Sequence, residues 1–159
     1  MRIDILAVGR LKSGPEKELY ESYARLVSGL GRQSGIASLE LREVPEARAA
    51  TAVERIRDEG KVLAAALRQG ADVIALDAGG REFASAAFAA DLANRRDAGR
   101  HVQFLIGGPD GLAPELLDRA ALALSFGRAT WPHRLVRVML AEQIYRAVTI
   151  LLNHPYHRA

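Results

Sequence analysis

The stretch Val102-Gln103-Phe104-Leu105-Ile106-Gly107-Gly108-Pro109-Asp110-Gly111 decides the fold class of this chain. A short apolar run that ends in glycine and proline is typical of a buried strand followed by a tight loop. Glycine tolerates positive φ and lets another group approach the main chain closely. The stretch therefore predicts a buried strand that carries a glycine-rich loop to one edge of a sheet.

Outward from this stretch, apolar runs alternate with helix-like patterns in both directions. We predict strands at residues 2–8, 38–44, 72–76, 101–106 and 121–126, and helices at 16–28, 50–69, 84–97, 114–119 and 133–152. Pro15 stands where a helix begins, and Gly70 and Gly99 stand where helices end. Residues 29–37, with three glycines, are predicted to form a surface loop. This alternation predicts an α/β fold in a single domain, residues 1–159, built on one doubly wound, mostly parallel sheet.

The composition excludes several classes of protein. The chain has no cysteine, which excludes a disulfide framework and thiolate sites and suits the reducing cytoplasm. The sequence holds no apolar run of the roughly eighteen residues that a membrane span needs, so we expect no contact with the membrane. The four histidines lack the spacing of a helical zinc site, and we expect no metal.

Positive charge is concentrated at the C-terminal end. The net charge is only +3, but residues 119–159 contain six arginines and a single acidic residue, Glu142. A surface of this sign attracts polyanions such as nucleic acids.

Three loops follow predicted strands, at residues 77–80, 107–111 and 126–132. In an open α/β sheet, ligands bind at the carboxyl ends of the strands, where such loops meet. The loop after the first strand, residues 9–14, matches neither a Walker sequence nor the G-x-G-x-x-G fingerprint. Each loop alone is equally consistent with an ordinary tight turn, so the pattern marks an edge of the sheet without fixing its ligand.

Four separated motifs carry a closer resemblance. They are IGGPDG at 106–111, TWPHRLVR at 130–137, EQIYRA at 142–147 and NHPYHR at 153–158. Together they resemble the signature of the RlmH family of ribosomal RNA methyltransferases, a minimal member of the SPOUT class, and the likeness covers essentially the whole chain. The resemblance implies S-adenosylmethionine-dependent methylation of N3 of a pseudouridine in 23S rRNA, the RNA of the large ribosomal subunit. It also implies a homodimer and a C-terminal trefoil knot.

The same resemblance implies where the methyl donor binds. Most of these residues are expected to act through their main chain, and they are Leu76, Gly107, Phe126, Gly127, Arg128, Ala129, Thr130 and Trp131. Without the resemblance, Leu76 and Phe126 are better explained as ordinary core residues.

The C-terminal tail holds the groups that methyl transfer needs. A sulfonium methyl is already electrophilic, so the enzyme must supply alignment, a route for the proton and stabilisation of charge. N3 of a uracil-like ring is an acidic imide, and the attacking species resembles its anion. If the tail folds back over the donor pocket, Arg146 and Arg158 bind the substrate anion, and Tyr156 or His157 takes the proton. Stacking of Tyr156 on a flipped base is the alternative.

Other residues near the C-terminus have plainer explanations that compete with function. His133 is expected to be a helix cap or a packing residue. Arg134 and Arg137 lie three apart, which suits either a phosphate-binding pair or a solvated helix face. The predicted helix at 133–152 is apolar nearly all round, so we expect a second copy of the chain to cover it, with neighbouring helices of the same chain as the alternative.

Two functions of other classes are also consistent with the sequence. A non-catalytic RNA- or ribosome-binding module would use the basic C-terminal face and would have no affinity for a methyl donor. A small-molecule enzyme or nucleotide sensor would use the glycine loop for a phosphate, but the missing phosphate motifs argue against it.

Overall fold

The structure is a computed structural model that describes residues 1–157, and within that range five strands alternate with five helices. The strands are β1 (Arg2–Val8), β2 (Ser38–Val44), β3 (Asp72–Glu82), β4 (Val102–Ile106) and β5 (Leu122–Ser125). The helices are α1 (Pro15–Leu30), α2 (Ala52–Ala66), α3 (Ser85–Asp97), α4 (Pro114–Arg119) and α5 (His133–Leu151). The order of elements is the predicted one, and most boundaries agree within a few residues.

The five strands form one sheet in the order β2-β1-β4-β3-β5, and every neighbouring pair is parallel. Ile5 of β1, for example, stands opposite Leu41 on one side and Phe104 on the other. Because all strands run the same way, their carboxyl ends meet at one edge of the sheet. The predicted α/β fold with a parallel sheet is confirmed.

Helices cover both faces of the sheet, because successive side chains of a strand point to opposite sides. Ile3 and Ile5 pack with apolar residues of α1, α3 and α5, whereas Leu6 and Val8 pack with α2 and α4. All four side chains are fully buried. This arrangement confirms the prediction of a doubly wound sheet.

The predicted end of β3 at Leu76 is wrong. The strand continues to Glu82, and both Leu76 and Arg81 stand opposite Leu124 of β5, so the four residues between them bulge out of the ladder. Gly80 allows β3 to pair with β5 again after the bulge, since a Cβ at this position would lie 2.7 Å from the carbonyl carbon and oxygen of Ala123. The glycines that suggest a loop are therefore a bulge within a longer strand.

The predicted surface loop at 29–37 is wrong in part. Helix α1 continues to Leu30, and Ser34 and Ile36 are buried. The amino group of Met1 donates a hydrogen bond to the carbonyl oxygen of Gly35 at 2.6 Å, which ties this loop to the start of β1. Most of the segment is exposed, but its apolar end belongs to the core.

Helix α5 takes its cover mainly from its own chain. Leu140, Ile144 and Val148 are fully buried in the core that α1 and α3 share, and the rings of Tyr23 and Tyr145 lie 6.2 Å apart between α1 and α5. These residues are therefore covered by neighbouring helices of the same chain, which was the alternative to cover by a second copy. Within residues 1–157, no helix is both long and apolar enough to cross a bilayer. Strand order does not test the trefoil knot, which stays a prediction.

Candidate functional site

A cavity of about 330 Å³ opens at the carboxyl edge of the sheet, among the bulge of β3, the ends of β4 and β5 and the start of α5. Seven of the eight residues that the resemblance assigns to the methyl donor line it: Leu76, Gly107, Phe126, Gly127, Ala129, Thr130 and Trp131. The exception is Arg128, which is exposed and outside the lining. Sequence positions up to 55 residues apart thus meet at one place, which we call the donor cavity.

The glycine loop, residues 107–111, forms one wall of the donor cavity through its main chain. A Cβ on Gly107 would lie 2.6 Å from the carbonyl carbon and oxygen of Gly111, so no larger residue fits without moving the backbone. The amide of Gly111 donates a 3.0 Å hydrogen bond to the carbonyl oxygen of Gly108, and Gly111 itself has φ of 93°. The loop is therefore a tight turn whose shape depends on glycine.

The loop after β5 forms the opposite wall and is tied to the bulge of β3. The hydroxyl of Ser125 lies 3.2 Å from the carbonyl oxygen of Ala78 and accepts a 3.0 Å hydrogen bond from the amide of Gly127. Trp131 is 44% exposed, so its indole ring remains open to a ligand at the rim. Glycines and several apolar side chains thus line much of the cavity.

His133 lines the donor cavity as well, which the sequence did not indicate. Its side chain makes no capping hydrogen bond, since the residue at the cap position of α5 is Pro132. Burial and the neighbouring Arg137 lower the pKa of His133, while Glu46, 3.8 Å away, acts in the opposite direction. The imidazole is therefore neutral near pH 7. The only available signal was its position two residues beyond Trp131.

Arg137 is not part of a phosphate-binding pair. Its side chain is completely buried, whereas Arg134 is exposed. Arg137 donates hydrogen bonds to the carbonyl oxygen of Val8 and, at 2.9 Å, to Glu43 Oε1. The same carboxylate oxygen accepts a 2.6 Å hydrogen bond from the amide of Leu11. Arg137 therefore fastens the start of α5 to the ends of β1 and β2.

The described part of the tail folds back onto α5. The hydroxyl of Tyr156 donates a 3.1 Å hydrogen bond to Glu142 Oε1, and its ring meets the ring of Tyr145 edge-on at 4.7 Å. Arg146 lies 5.1 Å from the centre of the Tyr156 ring and pairs with Glu142 at 2.5 Å. We call Glu142, Tyr145, Arg146 and Tyr156 the tail cluster.

The tail cluster does not line the donor cavity of its own chain. The condition that the tail folds over that pocket is thus not met within one chain by the tail residues that the structure describes, because Glu142 and Tyr145 hold Tyr156 against α5. His157 is partly buried and its Nδ1 has no hydrogen-bond partner among residues 1–157. Arg158 lies outside the described residues.

The electrostatics of the tail cluster keep Tyr156 protonated. Burial, the Tyr23 hydroxyl and the Glu142 carboxylate raise the pKa of Tyr156 well above its usual value. The hydrogen bond to Glu142 raises the pKa of Arg146, which stays a full cation. A phenolate at Tyr156 is therefore disfavoured in this arrangement.

A second cavity of about 500 Å³ lies beside the first, between α1, α5 and the end of β3. It shares Leu124, Phe126 and Gly127 with the donor cavity, and Tyr23 and Glu142 connect it to the tail cluster. Much of its lining is apolar. Within residues 1–157, no group of three or more histidine, aspartate or glutamate side chains is placed to hold a metal ion.

Comparison with known protein families identifies the family of this chain. Residues 1–157 match the family model described as a predicted SPOUT methyltransferase. The chain belongs to the SPOUT methyltransferase family. It is therefore an enzyme of methyl transfer, and the resemblance carried by the four motifs is confirmed.

Relatives within this family are similar to the chain over its full length. The ribosomal RNA large subunit methyltransferase H of Rhodopseudomonas palustris (strain BisB5) is 51% identical over 160 residues, with both chains fully covered. The protein of the same name from Nitrobacter hamburgensis is 49% identical, with 99% of each chain covered. Among solved structures, a probable methylase family protein from Haemophilus influenzae Rd KW20 aligns with a TM-score of 0.53 at 14% identity, covering 99% of this chain and 70% of that one. That likeness supports the fold.

Proposed function

We propose that the chain methylates N3 of a pseudouridine in 23S rRNA, with S-adenosylmethionine as methyl donor, as a single-domain enzyme of the cytoplasm that works as a homodimer. One observation carries the proposal: seven of the eight expected donor residues, scattered in sequence, line one cavity. The full-length relatives at about half identity are named as methyltransferases of large-subunit ribosomal RNA, which supports the choice of substrate.

The donor cavity suits S-adenosylmethionine by size and chemistry. At about 330 Å³ it falls in the range of small-molecule sites. Main-chain groups of the glycine loop suit hydrogen bonding to ribose and adenine, and Leu76, Phe126 and Trp131 offer apolar surface to the adenine ring. When bound, S-adenosylmethionine supplies a methyl group on a positively charged sulfur, so the reaction needs no metal.

The residues that act on the methyl acceptor, N3 of the pseudouridine, belong to the tail and to Arg146. Methylation replaces the proton on N3, so a protein group must take that proton and a positive charge must stabilise the N3 anion. Arg146, a full cation, and Arg158 fit the second role. For the first role we favour His157 over Tyr156, because the phenol next to Glu142 resists ionisation and accepts no proton. Tyr156 then suits stacking on the base.

A second copy of the chain would complete the site. The tail cluster borders the second cavity, whose rim carries Leu19 at 48% exposure and also Tyr23 and Met139. Exposed apolar surface of this kind is typical of an association site. We place the homodimer contact there, so that the tail of one protomer approaches the donor cavity of its partner.

Titration calorimetry of the purified protein with S-adenosylmethionine, beside ATP as a phosphate-bearing control, tests the proposed donor. Saturable binding of S-adenosylmethionine alone is expected, and tritium transfer from the labelled donor to 23S rRNA should follow. If neither compound binds, with or without rRNA present, while RNA binding falls steeply with salt, the non-catalytic RNA-binding module takes the place of this proposal.

A further inference from the structure

Helix α2 contacts the glycine loop of the donor cavity through two side chains, those of Arg55 and Glu59. Arg55 Nε donates a 2.7 Å hydrogen bond to Asp110 Oδ2, and Arg55 Nη2 donates a 3.1 Å bond to Oδ1 of the same carboxylate. Arg55 Nη1 also reaches the carbonyl oxygens of Ala49 and Ala50, at 3.1 and 3.2 Å. One guanidinium therefore joins the glycine loop to the segment that leads into α2. A two-point pair of this kind fixes orientation as well as distance.

Glu59 supports the same loop one helical turn further on. Its side chain is only 4% exposed, and its Oε1 accepts a 2.9 Å hydrogen bond from the amide of Ala47. Its Oε2 faces the glycine loop, because a Cβ on Gly108 would lie 3.0 Å from that atom. Among residues 1–157, Oε2 has no hydrogen-bond partner. Glu59 thus fills the space that a side chain at position 108 would need.

Arg55 and Glu59 do not line the donor cavity, although their contact residues Asp110 and Gly108 do. Three of the five residues of the glycine loop are glycines, which have wide conformational freedom unless neighbours restrict them. A loop that is already held in its binding shape loses less entropy when a ligand arrives.

We propose that Arg55 and Glu59 are positioning residues for methyl transfer, which hold the glycine loop in the shape that accepts the methyl donor without touching the donor themselves. This proposal rests on the proposed function, since it takes the donor cavity as the site of S-adenosylmethionine. It assigns to α2 a share in donor affinity and none in the chemical step.

The test compares Arg55→Ala and Glu59→Ala with Arg57→Ala on the same helix. Arg57 is a matched control, because its side chain is 60% exposed and, among residues 1–157, forms an ion pair only with the adjacent Asp58. Calorimetry with S-adenosylhomocysteine should show about tenfold weaker binding for the first two variants and an unchanged constant for the control. The KM for the donor should rise in the same proportion, while kcat at saturating donor stays within about twofold, as expected when uniform binding is lost.

Two further variants separate positioning from general destabilisation. Glu59→Gln keeps the shape and the acceptor for Ala47, so it should restore donor affinity. Asp110→Asn combined with Arg55→Ala should bind S-adenosylhomocysteine about as tightly as Arg55→Ala alone, because Arg55→Ala already removes the pair that Asp110→Asn weakens. Hydrogen exchange of the Arg55→Ala and Glu59→Ala variants, measured without ligand, should be faster at residues 107–111 than in the unaltered protein. Exchange in β1 and β4 should be unchanged.

The outcomes are distinguishable. If the unaltered protein binds no S-adenosylhomocysteine, the proposed function and this inference fail together. If the unaltered protein binds it and the Arg55 and Glu59 variants bind it equally well, the inference alone is overturned. Loss of protection throughout the sheet, with donor affinity unrestored in Glu59→Gln, would also overturn it by showing a purely structural role.

Discussion

The donor cavity and the tail cluster are built in opposite ways. The donor cavity is lined by the bulge of β3, the loops that follow β4 and β5 and the start of α5, and glycines shape its glycine loop. The tail cluster is made from side chains near the end of the chain, and hydrogen bonds and ring contacts hold it against α5. Within one chain the donor cavity is open to a ligand, whereas the tail cluster lies outside that cavity.

Under the proposed function, this difference separates binding of the donor from transfer of its methyl group. A cavity shaped by glycines and tight loops depends on the fold and on the residues that support it, and tolerates change at exposed side chains outside its lining, such as Arg128. A site made of a few side chains depends on their identity and on where the tail is placed. Changes in the two regions should therefore have different kinetic consequences.

The largest effect is expected from deletion of residues 156–159. This change removes Tyr156, His157 and Arg158 together, and we expect methylation of rRNA to fall by about a hundredfold or more, since proton transfer and anion stabilisation are lost. Methyl incorporation from labelled donor measures the loss, and sedimentation follows the association state of both chains. Activity within a few-fold of the full chain would remove the tail from the mechanism.

Gly107→Ala should damage the donor cavity itself. The added Cβ would lie 2.6 Å from the backbone of Gly111, so the loop must shift, and donor affinity should fall by roughly tenfold to a hundredfold. Gly29→Ala is the control: it lies in α1 with open space around it and should stabilise the protein by about 0.5–1 kcal/mol. Calorimetry and urea unfolding measure the two. Equal donor affinity in both variants would contradict the role given to the glycine loop.

Arg137→Ala tests what fastens α5 to the sheet. The change leaves Glu43 and the carbonyl of Val8 without their buried partner, which should lower the free energy of unfolding by about 3–5 kcal/mol. Arg134→Ala, three residues earlier and exposed, should change it by less than about 0.5 kcal/mol. Urea denaturation measures both. Similar stabilities of the two variants would mean that the buried contacts of Arg137 are not structural.

The smallest effect is expected from Glu142→Gln. The carboxylate of Glu142 opposes ionisation of the Tyr156 phenol, so its neutralisation should lower the pKa of Tyr156, although burial will keep it above the usual value. NMR of labelled tyrosine during alkaline titration measures the shift. A pKa that stays the same would show that Tyr156 does not lie against Glu142 in solution.

Much of the fold follows from local sequence. The bounds of β1 and β2 coincide with the prediction, because each is a short strand-forming run that stops before a turn residue, Gly9 or Pro45. The extension of β3 to Glu82 could not be predicted, because Gly79 and Gly80 have the local signature of a turn, and the close packing of Gly80 on β5 depends on a strand more than forty residues later.

The donor cavity was predictable in outline and the supporting residues were not. The glycine motif and the resemblance identify its walls, but the pair of Arg55 and Asp110 joins positions 55 apart, and Arg137 meets Glu43 across 94 residues. An arginine on a helix has no local signature that distinguishes a buried partner from solvent. The placement of the tail likewise depends on tertiary contacts that no local pattern encodes.

The affinity of the tail-deleted chain for S-adenosylmethionine tests the separation of donor binding from methyl transfer most directly. Calorimetry should give the chain lacking residues 156–159 the same dissociation constant as the full chain, within about twofold, because Tyr156 and His157, the deleted residues that the structure describes, do not line the donor cavity. A loss of tenfold or more, with the fold and the dimer intact, would contradict the account by showing that the tail is part of the donor site.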